Sequence, residues 1–180
     1  MDSSSEGVTL FAGFICDLLS SYVGNPYAER LFQMADGLDL TDPTRLVPMK
    51  TYNDMCEWIV RELGPASLRK AGENIGRRVF DFMASRGQVS VSLSPNQLLA
   101  ALKVAADTMI HDPRGRGWTI LVSEPQRVVM RRTQSFHPIM QEGLLKSLAE
   151  RSNLIVYATV RYLHRVAEGD AFDDYEVSWD

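Results

Sequence analysis

Ser135 and His137 are the two residues of this sequence whose spacing first suggests nucleophilic catalysis. A serine hydroxyl becomes a nucleophile when an adjacent imidazole takes its proton and a carboxylate orients that imidazole. Glu142 is near in sequence, but spacing alone does not complete a triad, and no nucleophile-elbow motif surrounds Ser135. We interpret Ser135 and His137 as a turn and a helix cap, and we expect a chain that is not an enzyme.

Cysteine usage indicates free thiols and no metal site. Cys16 and Cys56 are the two cysteines, and both lie in apolar segments with helical spacing. Two isolated thiols do not supply the four ligands of a structural zinc site. We therefore expect buried, reduced cysteines, as in cytoplasmic proteins, and no bound metal.

Arginines in the second half of the chain suggest either an anion site or a set of surface ion pairs. They are Arg114, Arg116, Arg127, Arg131 and Arg132. On a strand, Arg127 and Arg131 share one face and Arg132 points to the other. If the loop at 112–117 folds back, several guanidiniums would converge on an anion. In the alternative, each arginine pairs with an Asp or Glu on a solvated face.

Bulk properties restrict the classes of function. A chain of 180 residues with 45% hydrophobic and 23% charged residues is typical of one folded domain, which we place at 1–180. The formal net charge of -4 argues against a nucleic-acid-binding protein. The start of the chain lacks a secretory pattern, and the apolar run 8–19 is too short to span a bilayer. These features predict a cytoplasmic protein without a membrane span.

Helical spacing of apolar residues dominates the first part of the chain. The predicted helices cover residues 6–22, 27–35, 51–63, 65–84 and 94–110. Ser94-Pro95 is a strong start signal for the last of them. We expect 38–50 to be an extended loop and 88–93 to be either a short strand or a linker. The helical part therefore spans about 6–111.

β-Branched and alternating residues dominate the remainder. The predicted strands cover 118–122, 127–133, 154–163 and 174–179, and a helix is predicted at 138–151. The connections are short enough for an antiparallel sheet, and the sheet part spans about 118–180. The predicted fold class is α+β: N-terminal helices followed by a roughly four-stranded antiparallel sheet with an inserted helix.

Three segments carry a resemblance to known proteins. They are the Gly7–Tyr22 helix with its short successor, the helix pair containing Leu63-Gly64 and Gly76-Arg77-Arg78, and the stretch from Arg127 to Trp179 that includes Gly143-Leu144-Leu145. This order resembles the superfamily of heme nitric oxide/oxygen-binding domains, 4-vinyl reductase domains and TRAPP tethering subunits. It looks closest to an uncharacterised family of bacterial proteins of similar size, known chiefly from myxobacteria.

The resemblance raises the question of heme. The heme-binding branch holds iron with a His on the helix before the sheet, and it holds the propionates with a Tyr-x-Ser-x-Arg cluster. This sequence has Ala105 and Ala106 at about the ligand position, and 131–135 contains no matching Tyr. We therefore expect no cofactor. If heme did bind, the axial ligand would be His111 or His137.

The space between helices and sheet often holds an apolar ligand in this superfamily. The predicted ligand-binding residues are Phe80, Met83, Met109, Trp118 and Arg131. Ordinary core packing is the alternative for these side chains.

The leading functional hypothesis is a non-enzymatic sensory or interaction domain in signal transduction, which binds a small apolar ligand or a protein partner. One alternative is a heme-based gas sensor. Another is a structural homodimerisation or tethering module, because the helix 7–22 has apolar residues on more than one face.

Overall fold

The computed structural model describes residues 2–26 and 28–180. Its α-helices are α1 Ala12–Ser20, α2 Ala28–Met34, α3 Met49–Leu63, α4 Pro65–Ser85, α5 Pro95–Met109 and α6 Pro138–Ala149. Its strands are β1 Thr9–Phe11, β2 Leu46–Pro48, β3 Ile110–His111, β4 Trp118–Glu124, β5 Arg127–Arg132, β6 Ala158–His164 and β7 Asp173–Trp179. Tyr27, with which the second helix was predicted to begin, lies outside the described residues. No helix in the described ranges is long and apolar enough to cross a membrane.

The predicted α+β class and the four-stranded antiparallel sheet are confirmed. The strand order is β4-β5-β7-β6, and every neighbouring pair is antiparallel. The inserted helix α6 lies between β5 and β6 in the chain. The predicted third strand begins too early, because 154–157 form a loop in which Val156 is 93% exposed. Strand β6 starts at Ala158, whose side chain is buried.

A second, smaller sheet was missed by the sequence analysis. Its order is β2-β1-β3, with Leu10 opposite both Val47 and Ile110. The predicted helix 6–22 is therefore wrong at its start, because Thr9–Phe11 is extended and α1 begins at Ala12. Tertiary pairing overrides the local pattern here, since the apolar residues of so short a strand also satisfy helical spacing. The predicted loop 38–50 likewise contains β2 and the beginning of α3.

Local signals at the start of α5 and between α3 and α4 behave as the sequence predicts. Ser94 caps α5: its hydroxyl accepts from the Gln97 backbone N–H, and the Gln97 side chain accepts from the Ser94 N–H. Gly64 separates α3 from α4 at φ 83°, a conformation that favours glycine, and Pro65 starts α4. The segment 88–93, left open between strand and linker, contains turns and no strand.

Helices α4 and α6 touch through glycines. A Cβ at Gly143 would collide with the Arg69 carbonyl oxygen and would lie 2.8 Å from the Glu73 nitrogen. Across the same contact, a Cβ at Gly76 would lie 2.5 Å from the Leu144 carbonyl oxygen. Ser147 adds a hydrogen bond, since its hydroxyl donates to the Glu73 carbonyl at 2.7 Å. Only residues without a side chain allow the two backbones to approach this closely.

The core lies between this helix pair and the inner face of the large sheet. Met130, Tyr175 and Val177 point inward from the central strands and are buried. Leu145 and Leu148 of α6 are fully buried as well. The position of α6 over the sheet therefore depends on how closely α4 holds it.

We expect Gly143→Ala to lower the free energy of unfolding by at least about 2 kcal/mol, because the added methyl group meets backbone atoms that cannot rotate away. Helix propensity alone would predict the opposite, a stabilised protein, because it favours Ala over Gly by about 1 kcal/mol. Urea denaturation measures the change. Lys103→Ala, on the exposed side of α5, is the control and should stay within about 0.5 kcal/mol of wild type. Unchanged or increased stability of Gly143→Ala would show that the contact is not close.

Candidate functional site

A cleft of about 390 Å³ opens between α1, α4 and the loop at Pro43. This volume is within the range of about 300–1,000 Å³ that is usual for small-molecule pockets. Its apolar wall consists of Phe11, Phe14, Pro43, Val79, Phe82 and Met109. Asp17, Arg78 and Asp81 form a polar end. The cleft thus combines a mostly apolar wall with a small number of polar groups at one side.

The backbone of α1 holds the loop that closes one side of this cleft. The N–H groups of Ala12 and Gly13 donate to the carbonyls of Arg45 and Pro43 at 2.7 and 2.8 Å. These bonds satisfy two of the N–H groups that a helix start leaves without intrahelical partners. A Cβ at Gly13 would lie 3.2 Å from the Pro43 carbonyl oxygen, so the small residue permits the approach.

At the polar end of the cleft, the charge of the Asp17 carboxylate is only weakly balanced by the Arg78 guanidinium. Burial raises the pKa of the Asp17 carboxyl, and the guanidinium of Arg78, whose Nε lies 3.7 Å away, opposes that shift. Asp17, Arg78 and Asp81 also line a second hollow of about 310 Å³ on the surface. Burial similarly raises the pKa of the Cys16 thiol, which keeps it protonated at the cleft wall.

Behind the cleft lies a small internal void of about 20 Å³ between α5, α6 and the start of the sheet. Phe14, Val79 and Met109 line both spaces, so they form the wall between them. The far side of the void carries the side chains of Gln134 and Gln141. Gln134 is 1% exposed, and its Oε1 has no hydrogen-bond partner among the described residues.

Two groups of aromatic rings pack in the interior of the protein. Phe136 lies 5.4 Å from Tyr52 and 5.6 Å from Phe14, measured between ring centroids. A second group, Trp118 and Tyr175, meets edge to face at 5.8 Å. Burial raises the pKa of the Tyr175 hydroxyl, which donates to the Pro138 carbonyl at 3.0 Å.

Arg132 fixes the loop between β5 and α6. It is 4% exposed and pairs with the buried Asp173. Its Nη1 donates to the carbonyls of Gln134 and Phe136 at 2.7 and 2.6 Å. The terminal nitrogens of this guanidinium are thus engaged by the protein itself.

Ser135 and His137 are not hydrogen-bonded to each other in the described part of the chain. The hydroxyl of Ser135 and Nδ1 of His137 both lack a hydrogen-bond partner within the described part of the chain. The other ring nitrogen of His137 lies 3.4 Å from Glu57, and burial lowers the pKa of the imidazole. His137 does occupy the N-cap position of α6, although no side-chain cap hydrogen bond forms there.

The predicted ligand-binding residues separate into three places. Met109 lines the cleft and the void, and Trp118 lines the void. Phe80 and Met83 are buried elsewhere in the core, and the Arg151 guanidinium lies 4.6 Å from the Phe80 ring centroid. Arg131 lies on the outer face of the sheet. Their role in binding stays a prediction.

Sequence reasoning missed both glutamines of the void. Gln141 had a signal, because it lies on the same helical face as the apolar residues Leu144, Leu145 and Leu148. Gln134 had none, since its burial depends on how the loop after β5 folds.

The arginine set pairs with acids instead of converging. Arg116 contacts Asp112, and Arg114 contacts Asp2. Arg127 contacts Glu176, and Arg131 contacts Asp174. With Arg132 bound to Asp173, the arrangement matches the ion-pair alternative.

Metal chemistry has no geometric support in the described residues. No group of three or more His, Cys, Asp or Glu side chains that could hold a metal ion occurs within 2–26 and 28–180. Cys16 and Cys56 are both free thiols. His111 is exposed in β3, and His164 contacts Asp174 on the outer face of the sheet.

Comparison of the structure with solved structures shows the fold of H-NOX proteins. An H-NOX protein from S. oneidensis in the Fe(II)NO ligation state matches with a TM-score of 0.69 at 9% identity, over 93% of this chain and 98% of that one. An Fe(II) unliganded H-NOX variant from K. algicida matches with a TM-score of 0.62 at 9% identity, over 95% of this chain and 97% of that one. No protein-family model matches this chain, and no curated protein matches it in sequence. The predicted likeness to heme nitric oxide/oxygen-binding domains is therefore confirmed as a likeness of fold.

The side chains of this interior do not fit a heme. The void between helices and sheet measures about 20 Å³, far below the roughly 300 Å³ at which pockets for small molecules begin. Ala105 and Ala106 are buried on α5 at the position expected for the iron ligand. His111 and His137 do not line the void. Arg132, which stands at the predicted propionate strand, is engaged by Asp173 and two carbonyls.

Acid should weaken the outer face of the sheet. Arg131 donates two hydrogen bonds to the buried Asp174, at 2.8 and 2.9 Å, and holds the pKa of that carboxyl below its ordinary value. Because the folded-state pKa is lowered, the pair stabilises the protein fully above the unfolded Asp pKa of about 3.9. That contribution is lost as the pH falls through the folded-state value.

We therefore expect Asp174→Asn to cost about 2 kcal/mol at pH 7, and we expect the difference from wild type to shrink below pH 4. Urea denaturation at a series of pH values measures it. Asp180→Asn, at the exposed end of the chain, should leave the pH profile unchanged. A constant difference down to pH 2.5 would contradict the assignment.

Proposed function

We propose that this chain is a non-enzymatic sensory domain with the H-NOX fold, and that it binds a small, largely apolar ligand in the cleft between α1 and α4. The observation that carries the proposal is the cleft itself, whose volume of about 390 Å³ suits a small organic molecule. Phe14, Val79 and Met109 of its apolar wall also line the internal void. A ligand that enters the cleft therefore presses on the side chains that separate the surface from the interior.

A route for a signal follows from α4. Val79 and Phe82 of this helix line the cleft, whereas Gly72 and Gly76 on the same helix contact α6. Close-packed interiors transmit displacement because they contain little free volume. A shift of α4 on ligand binding would move α6, and α6 packs on β6 and β7. The sheet would then report the state of the cleft to a partner.

A heme-based gas sensor is the second candidate. The comparisons favour it directly, because the similar solved structures are H-NOX proteins in Fe(II) and Fe(II)NO states. The dimensions of the void and the side chains around it favour a smaller, apolar ligand. We place the apolar ligand first for one reason. The solved structures share the backbone fold with this chain but only 9% of its residues, and the side chains determine which ligand binds.

The remaining expectations stand as parts of this proposal. The free thiols of Cys16 and Cys56 support a reducing, cytoplasmic location. A protein partner or a homodimer would receive the signal. The closer relationship to the myxobacterial family, and the likeness to 4-vinyl reductase and TRAPP domains, stay predictions from sequence.

Thermal-shift measurements with neutral bicyclic aromatic compounds test the cleft. A compound at 100 times its Kd stabilises the folded state by about 2.7 kcal/mol, which raises Tm by roughly 5–10 °C in a chain of this size. In Ser85→Trp, an indole replaces a small side chain at the cleft, so the shift should disappear. Lys103→Trp places the same indole on the exposed side of α5 and should leave the shift intact.

Two results would count against the cleft. One is a panel in which no compound raises Tm of the wild-type protein. The other is an equal shift in wild type and Ser85→Trp, which would place the bound compound elsewhere.

Hemin reconstitution tests the second candidate. We expect the purified protein mixed with hemin to show no sharp Soret band that changes on reduction or on addition of nitric oxide, because a macrocycle does not fit the interior. An H-NOX protein treated in parallel is the positive control. A band that responds to both treatments would establish the gas sensor, and loss of that band in His111→Ala or His137→Ala would identify the axial ligand.

A further inference from the structure

Gln134 is a buried acceptor without a donor. Gln134 lines the internal void, it is 1% exposed, and its Oε1 has no partner among the described residues. A buried polar atom that lacks a hydrogen bond costs about 1–3 kcal/mol. Such a group in a folded protein calls for an explanation, and a ligand that supplies the donor is one.

The surroundings of Gln134 determine which donor is acceptable. The void is otherwise lined by apolar side chains and by Gln141, and none of its described lining residues is charged. The nitrogen of the Gln141 amide donates to the Met140 sulfur at 3.9 Å, and a thioether sulfur is a weak acceptor. Bringing an ammonium or a carboxylate here would cost far more than one hydrogen bond returns. The acceptable donor is therefore a neutral O–H or N–H.

Three side chains separate the void from the cleft. Phe14, Val79 and Met109 line both spaces. Methionine is flexible and adapts to different neighbours, so Met109 can yield to an incoming group. A void of about 20 Å³ has room for the tip of a ligand, while the cleft of about 390 Å³ has room for its body.

We propose that the ligand of this domain is a neutral molecule with an apolar body and a single hydrogen-bond donor at one end, and that Gln134 accepts that donor. The apolar body occupies the cleft, and the donor passes between Phe14 and Met109 into the void. This inference rests on the proposed function of the cleft and specifies the chemistry of its ligand.

Indole and 1-methylindole are a matched pair of probes for this recognition. They have nearly the same apolar body, but only indole carries an N–H donor. Isothermal titration calorimetry of the full chain should give a Kd about tenfold lower for indole than for 1-methylindole, as expected for one buried hydrogen bond. In Gln134→Leu the two probes should bind within about twofold of each other. Gln126→Leu, an exposed glutamine outside the cleft, should keep the tenfold preference.

The wild-type titrations decide the inference even if Gln134→Leu does not fold. Gln134→Met is the second variant, because it keeps the length of the side chain and replaces the amide oxygen with a much weaker acceptor, a thioether sulfur. Far-UV circular dichroism and Tm establish that each variant is folded. Equal binding of both probes to wild type would overturn the proposed donor recognition. So would a crystal structure of the indole complex in which a water alone, and no ligand atom, bonds to Gln134.

Failure of the inference and failure of the proposed function give different results. In one outcome neither indole binds, but other bicyclic aromatics raise Tm in wild type and not in Ser85→Trp. This result would support ligand binding in the cleft and would contradict the recognition of a donor by Gln134. If no compound binds at all, both fall. If both indoles bind equally and Ser85→Trp weakens both, the ligand is in the cleft without using Gln134.

Discussion

The close contact between α4 and α6 is the constraint on which the rest of this structure depends. Gly72, Gly76 and Gly143 leave no room for a Cβ, so the two helices meet backbone to backbone. Helix α6 is thereby held over the inner face of the sheet, and α4 is left with a second face toward α1. The cleft lies on that second face. One helix thus connects the candidate binding site with the element that covers the sheet.

The interior of this chain is closely packed, although its backbone has the fold of H-NOX proteins. In the described part of the chain, aromatic rings and apolar side chains fill the layer between helices and sheet. Arg132 is neutralised by Asp173 and bound to the loop carbonyls, so it organises the loop before α6. The likeness to H-NOX proteins thus lies in the backbone fold, whereas the chemistry of a site resides in its side chains.

Strong local signals made much of the fold predictable. The α+β class, the antiparallel sheet and the Ser94 cap of α5 follow from apolar spacing, strand composition and capping chemistry. The small sheet was not predictable in this way. Strands β1 and β2 are each three residues long, too short for a recognisable pattern, and they are defined by their pairing with each other. Of the candidate site, Met109 and Trp118 were named from sequence, whereas Gln134 required the fold of the loop after β5.

The sequence by itself determined the longer helices and the four strands of the large sheet, because periodicity and end signals are local properties of the chain. It did not show that the glycines of α4 and α6 bring these two helices into contact. Tertiary structure alone decided which acidic residue each arginine pairs with, which side chains line the cleft, and which buried amide oxygen lacks a hydrogen-bond partner among the described residues. These properties depend on distances between residues far apart in the chain. Only the folded backbone sets those distances.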